Sequence, residues 1–199
     1  MINFIITFFS LSTLVADIAI VLFVVWLGVW YLGWRWNRGT QESSQAIDAR
    51  VVEPFRPLVR WVSVNAVGIG LIVSVLAVVG SLFFSNVVGF APCELCWWQR
   101  ICIYPQVVIF ALAFVYECRG KALGPVFSIS GVLSLIAFAI GAVQYYSATF
   151  NTSILAACSA TGVSCTKTYF VQFGYITIPM MSVTLAAILL SIVAARRFS

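Results

Sequence analysis

The chain has 199 residues, of which 62% are hydrophobic and only 9% charged. Soluble domains carry about 25% charged residues, so this composition excludes a water-covered globular surface and makes the chain a membrane protein. Its 11 Lys and Arg against 6 Asp and Glu give a net charge of +5, and the position of those charges decides what they mean.

A helix that spans a bilayer needs roughly 20 apolar residues. Five stretches qualify, lying within Phe4–Trp34, Trp61–Phe84, Trp97–Tyr116, Ala122–Tyr146 and Phe173–Ala195. Each is bounded by charge, by Pro and Gly, or by a polar stretch. The alternating pattern of a membrane β-barrel is absent. The expected fold is therefore all-α: a four-helix transmembrane bundle with one extra N-terminal transmembrane helix.

The first stretch has no Lys or Arg ahead of it and runs far past the 7–15 apolar residues of a signal peptide. It reads as a retained helix. Its 31 residues would extend about 46 Å, too long for a hydrocarbon core of about 30 Å. With the inner end fixed by Trp34-Arg35-Trp36, the spanning part begins near Leu14 and residues 1–13 lie along or above the membrane. Asp17 then falls at the outer interface, where a carboxylate needs no functional explanation.

Asn37–Pro57 is the only extended polar stretch and reads as a cytoplasmic linker with room for a short surface helix. The four later spans lie closer together and carry all six cysteines. The expected organisation is an N-terminal helix over 1–36, a linker over 37–57 and a four-helix domain over 58–199. No internal repeat or low-complexity tract is evident.

Arg35, Arg38, Arg50, Arg56 and Arg60 lie between spans one and two. Arg119 and Lys121 lie between spans three and four, and Arg196 and Arg197 at the C-terminus; only Arg100 and Lys167 lie near the other face. Short loops rich in Lys and Arg stay cytoplasmic. The N-terminus is thus expected outside, the C-terminus inside, and segments 85–96 and 147–172 outside. The basic balance reports orientation and requires no nucleic acid. The second outward segment is longer than a connector needs, which favours function. Its Asn151-Thr152-Ser153 matches a glycosylation tripeptide, a pattern common by chance.

Four of the cysteines fall on the outer face, as Cys93 with Cys96 and Cys158 with Cys165. Disulfides persist in such compartments. Cys102 lies inside the third span and Cys118 at its cytoplasmic end, where both read as inert or reduced thiols. Pro92-Cys93-Glu94-Leu95-Cys96 is a C-x-x-C, which alone serves a redox pair, half a zinc site or a staple. Here a helix is expected to begin at about Cys96, placing that sulfur where unpaired N–H groups and the helix dipole favour a thiolate. Arg100 lies one turn below on the same face, adding a permanent cation; the alternative, an interfacial arginine beside an aromatic belt of Trp97 and Trp98, loses ground because Arg100 is the sole arginine on the outer side.

Cys158 and Cys165 bracket a short loop that a structural disulfide could close. Beside a second pair on the same face, a relay of thiol–disulfide exchange is the better reading. No metal is expected: the chain has no histidine, and the pairs sit on separate loops. The same lack removes bis-histidine haem and Cys–His or Ser–His catalysis.

At these residues the chain resembles the disulfide bond formation protein B (DsbB) family, particularly its Gram-positive-type members. The resemblance rests on Pro92-Cys93-Glu94-Leu95-Cys96-Trp97-Trp98-Gln99-Arg100 continuing into Ile103-Tyr104-Pro105, on the second outward pair, and on Phe173-Gly174-Tyr175-Ile176-Thr177-Ile178-Pro179 leading into the last helix. It covers about residues 58–196.

It implies a multi-pass protein of the bacterial plasma (inner) membrane that reoxidises an extracytoplasmic, DsbA-like thioredoxin-fold thiol oxidase. Its partners would be that oxidase, membrane lipid and quinone. By position, the partner would attack Cys158, Cys165 would complete that pair, and Cys93–Cys96 would reoxidise it. Cys96 beside Arg100 would pass electrons to ubiquinone or menaquinone. The close spacing of the second pair and the N-terminal helix depart from the common pattern. Two other readings compete: a relay like vitamin K epoxide reductase, whose C-x-x-C lies in the last bundle helix, and a non-enzymatic scaffold with disulfide-stapled loops. A C-x-x-C closes too small a loop to be a good staple.

Overall fold

In a bilayer each backbone N–H and C=O must be satisfied within the protein, and the apolar runs accordingly fold as helices. A computed structural model describes residues 2–36, 56–120, 122–150, 164–165 and 168–197. Its helices are α1 (Ile2–Trp36), α2 (Arg56–Val64), α3 (Ala66–Leu82), α4 (Glu94–Cys118), α5 (Gly124–Phe150) and α6 (Ile178–Arg197), with a π-helical turn Phe83–Val87 extending α3. Five of these segments are long and apolar enough to cross a membrane. Among the described residues the only β pairing is an isolated bridge between Gln172 and Ile176. The protein is an all-α membrane protein, as its composition requires.

Helices α3 to α6 form the bundle. The α5–α6 interface is the most extensive, α4 joins α3 to α5, and α1 lies against α6. The interior is layered. At the end remote from Cys93 and Cys165, Ala66, Val67, Phe110, Phe127, Leu189 and Ile192 form the largest apolar cluster. Cys102, Ile103, Ala137 and Ala186 fill the middle. Cys93 and Cys165 pack with Leu95 and Cys96 at the other end. Ile72, Val79, Ile101 and Val108 are more than half exposed, the arrangement expected where lipid replaces water. Cys102 is buried in the middle layer, and Cys118 is exposed at the far end of α4.

Single side chains and turns set two of the boundaries. The second stretch breaks at Asn65, whose side-chain amide donates to the Trp61 carbonyl at 2.8 Å; such local bonds compete with the helical ladder. The last helix, expected within Phe173–Ala195, begins at Ile178. Phe173 (φ 52°) and Gly174 (φ 82°) are left-handed and form a reverse turn closed by two Gln172–Ile176 backbone bonds of 2.9 Å. The expected linker lies outside the described residues except for Arg56 and Pro57, which open α2.

Helix α3 meets α4 closely at Gly70, where a Cβ would overlap the Phe110 ring. That ring is fully buried and packs edge-on against Phe127 at 6.2 Å. Gly70→Val is therefore expected to destabilise the bundle by about 1–3 kcal/mol through overpacking. A thermal melt in detergent measures this, and an unchanged transition would show that the ring can yield.

Candidate functional site

Pro92 and an extended Cys93 (φ −77°, ψ 174°) make Cys93 the N-cap of α4, so the helix begins at Glu94, two residues earlier than the sequence suggests. Both sulfurs consequently sit at the end where backbone N–H groups are unpaired and the dipole is positive. The two sulfur atoms are 2.8 Å apart, so closure to a disulfide bond of about 2.05 Å needs less than about 1 Å of movement. The contact with Cys96, and then burial, push the Cys93 thiol above the ordinary cysteine range.

Cys165 arrives from the other loop and is buried against this pair. Aromatic contacts join the two loops: Phe90 stacks on Tyr169 at 4.5 Å, and the Tyr169 hydroxyl donates to the Ala91 carbonyl at 2.7 Å. One cysteine of the second pair is thereby brought to the first pair. Cys158 lies outside the described residues.

Gln144 of α5 joins the three cysteines. Its Nε2 lies 3.3 Å from Cys93 Sγ, 3.5 Å from Cys96 Sγ and 3.5 Å from the Cys165 carbonyl oxygen. Its Oε1 accepts from Gln99 Nε2 at 3.0 Å. Both glutamines are buried. Gly141, almost one turn earlier on α5, leaves the space; a Cβ there would lie 2.9 Å from Val183 Cγ2 and 3.5 Å from Gln99 Nε2.

Arg100 is held on its other side by α3. Its Nε donates to Ser81 Oγ at 3.0 Å and an Nη donates to the Ser81 carbonyl at 3.3 Å. Tyr104 donates to the same Ser81 hydroxyl at 3.2 Å. The guanidinium lies 5.2 Å from the centre of a Trp97 ring, within cation–π range. Trp97 and Trp98 are each about half exposed.

Cys93, Cys96, Cys165, Arg100, Ser81 and Tyr104 line one cavity of about 410 Å³ whose remaining surface is mostly apolar. Ligand cavities commonly measure about 300–1,000 Å³, with a few polar groups fixing orientation. Arg100 has five N–H donors and Ser81 engages only part of this set, so a flat ring bearing carbonyl oxygens fits the polar region and an apolar tail fits the rest.

The structure thus brings Cys93, Cys96, Cys165 and Arg100 to one place. Gln99, Ser81, Tyr104 and Gln144 escaped the sequence reading as functional residues. The available signal for the glutamines was a polar side chain inside an apolar span, which is expensive unless used.

The family model for disulfide bond formation protein DsbB matches residues 63–196. The chain is 40% identical over 107 residues to a probable disulfide formation protein of Oceanobacillus iheyensis, covering 54% of this chain and 71% of that one. It is 36% identical over 113 residues to disulfide bond formation protein C of Bacillus subtilis, covering 56% and 77% respectively. With probable disulfide formation protein C 2 of Bacillus cereus it shares 32% over 134 residues, or 61% and 84% of the two chains. No solved structure matches.

Proposed function

The chain belongs to the disulfide bond formation protein DsbB family, and on that premise we propose that it is a quinone-linked protein thiol–disulfide oxidoreductase. Membership makes it an oxidoreductase of disulfide bond formation. The further reading is that it reoxidises an extracytoplasmic thioredoxin-fold thiol oxidase from the bacterial plasma membrane, with both cysteine pairs outside. The observation that carries this is the burial of Cys165 against Cys93 and Cys96 beside the Arg100 cavity.

The oxidised protein holds Cys93–Cys96 and Cys158–Cys165 disulfides. A thiolate of the reduced partner attacks Cys158 and releases Cys165; the partner's second thiol resolves the mixed disulfide, leaving the partner oxidised and this pair reduced. Cys165 then attacks Cys93, breaking its bond to Cys96. Attack by Cys158 on Cys165 releases Cys93, so the second pair is again a disulfide and the first is a dithiol. Electrons and bonds balance at each exchange. The burial of Cys165 supports assigning the partner-facing role to Cys158.

A bound quinone supplies an acceptor for two electrons and two protons. Arg100 and Tyr104, positioned through Ser81, would hold its ring, and Cys96 is the sulfur through which the first pair is reoxidised. The cavity suits ubiquinone or menaquinone.

The purified protein, given a reduced thioredoxin-fold oxidase or a small dithiol, is expected to consume quinone, followed by absorbance. Cys158→Ala should lose the protein-driven reaction and retain the dithiol-driven one. Folded wild type that consumes neither ubiquinone nor menaquinone analogues would sink this reading and favour a stapled scaffold. Arg100→Lys keeps the charge but loses the planar fork. Its quinone KM is expected to rise about tenfold, equivalent to about 1.4 kcal/mol; an unchanged KM would remove Arg100 from the binding site.

A further inference from the structure

We propose that α1 is a wall of the electron-acceptor cavity and that Ser12, Thr13 and Ala16 limit the ring it admits, a proposal that rests on the quinone-linked reading above. Phe8, Phe9, Ser12, Thr13 and Ala16 recur at helical spacing and line the same cavity as Cys96, Arg100 and Tyr104. Residues 2–13 are continuous with the rest of α1, so this wall includes residues that the sequence placed along or above the membrane.

An apolar helix has no intrinsic preference for one face, so something must fix its rotation. Two contacts do so. The Phe9 ring lies 5.9 Å from that of Phe84, and a Cβ at Gly80 would approach it to 3.2 Å. Asp17, two turns further, accepts hydrogen bonds from Tyr175 at 3.1 Å and from Thr184 of α6. Burial, and then the Asp17 carboxylate, push the Tyr175 hydroxyl above its usual range, so it remains a donor. A half-buried carboxylate that accepts from two segments is a directional clamp. Thr184 itself lines the cavity, which connects the clamp to the site.

With α1 rotated in this way, Leu11, Val15 and Ile18 are half or more exposed and face lipid. The cavity face carries Ser12, Thr13 and Ala16, small side chains in a helix otherwise rich in Phe, Ile, Leu and Val. The Ser12 and Thr13 hydroxyls donate back to the Phe8 and Phe9 carbonyls, each at 2.9 Å. Their donors are thus occupied within the helix, and their contribution is limited bulk. Val73, Leu76, Leu185 and Ile188 line the same cavity and are suited to an apolar tail. The ligand class is a lipid-soluble quinone whose ring width is limited by α1.

The test uses full-length protein in detergent, with decyl-ubiquinone and menadione as probes and dithiothreitol as donor. Ala16→Phe is expected to raise the KM for decyl-ubiquinone at least tenfold, while single-turnover reduction of the protein disulfides by dithiothreitol stays within twofold of wild type. Val15→Phe, on the lipid face, should alter neither. Ser12→Leu provides a second cavity variant if Ala16→Phe does not fold. Folded cavity variants with wild-type KM for both probes would overturn the proposal while leaving the quinone-linked reading intact. Wild type that reduces neither probe would overturn both.

Discussion

Replacing Cys96 with alanine is expected to abolish thiol-driven quinone reduction, a loss of at least about 10³-fold, because no other group can substitute for a missing exchange sulfur. The structure also predicts where the reaction stops. Cys93 keeps Cys165 packed against it but lacks the sulfur with which it would reclose. In Cys96→Ala, attack of Cys93 on the Cys158–Cys165 disulfide forms a Cys93–Cys165 disulfide and frees Cys158 as a thiol; alkylating that thiol should trap the bridge, visible as a cross-linked peptide by mass spectrometry. Cys93→Ala should also lose turnover but cannot form that bridge. Cys102→Ala should retain activity, since Cys102 belongs to the middle layer. Quinone reduction persisting in Cys96→Ala would exclude this sulfur from the route.

Gln144→Leu is expected to give the next largest effect. Its amide N–H groups face Cys93, Cys96 and the Cys165 carbonyl oxygen, so it is a positioning residue for the exchange. Donors of this kind stabilise the reduced pair more than the disulfide. A buried hydrogen-bonding group is worth about 1–3 kcal/mol, and about 30 mV corresponds to 1.4 kcal/mol for a two-electron couple. The Cys93–Cys96 potential should therefore fall by about 20–60 mV, making the pair a weaker oxidant of Cys158 and Cys165, with turnover reduced about tenfold or more.

The same substitution removes the acceptor for Gln99, which would itself destabilise the bundle. Gln99→Leu combined with Gln144→Leu separates the two effects, because it leaves no orphaned amide. Stability should recover in the double variant while the potential remains low. A potential unchanged in Gln144→Leu would reduce Gln144 to a packing role.

Helical class, the approximate location of the spans and the Cys93–Cys96 pair were legible without any tertiary contact. The bilayer imposes rules that act locally: about 20 apolar residues per span and internally satisfied backbone. The dipole end at Cys96 was equally local, since Pro92 and the C-x-x-C spacing position it, although α4 begins two residues earlier than expected. The break at Asn65 and the left-handed turn at Phe173-Gly174 were not legible. Apolar periodicity does not register a left-handed residue or a side chain bonded to its own helix.

Composition and spacing by themselves determined that this is a membrane protein with a C-x-x-C followed at helical spacing by an arginine. Only the tertiary structure decided which groups meet. Gln144 reaches Cys93 across 51 positions, Arg100 reaches Ser81 across 19, and Thr184 reaches Asp17 across 167. Within an apolar span a glutamine, a serine or a carboxylate is anomalous in sequence, but its partner depends on helix rotation and depth. Those are set by close approaches such as Gly70 to Phe110 and Gly141 to Val183, contacts between helices that no local pattern encodes.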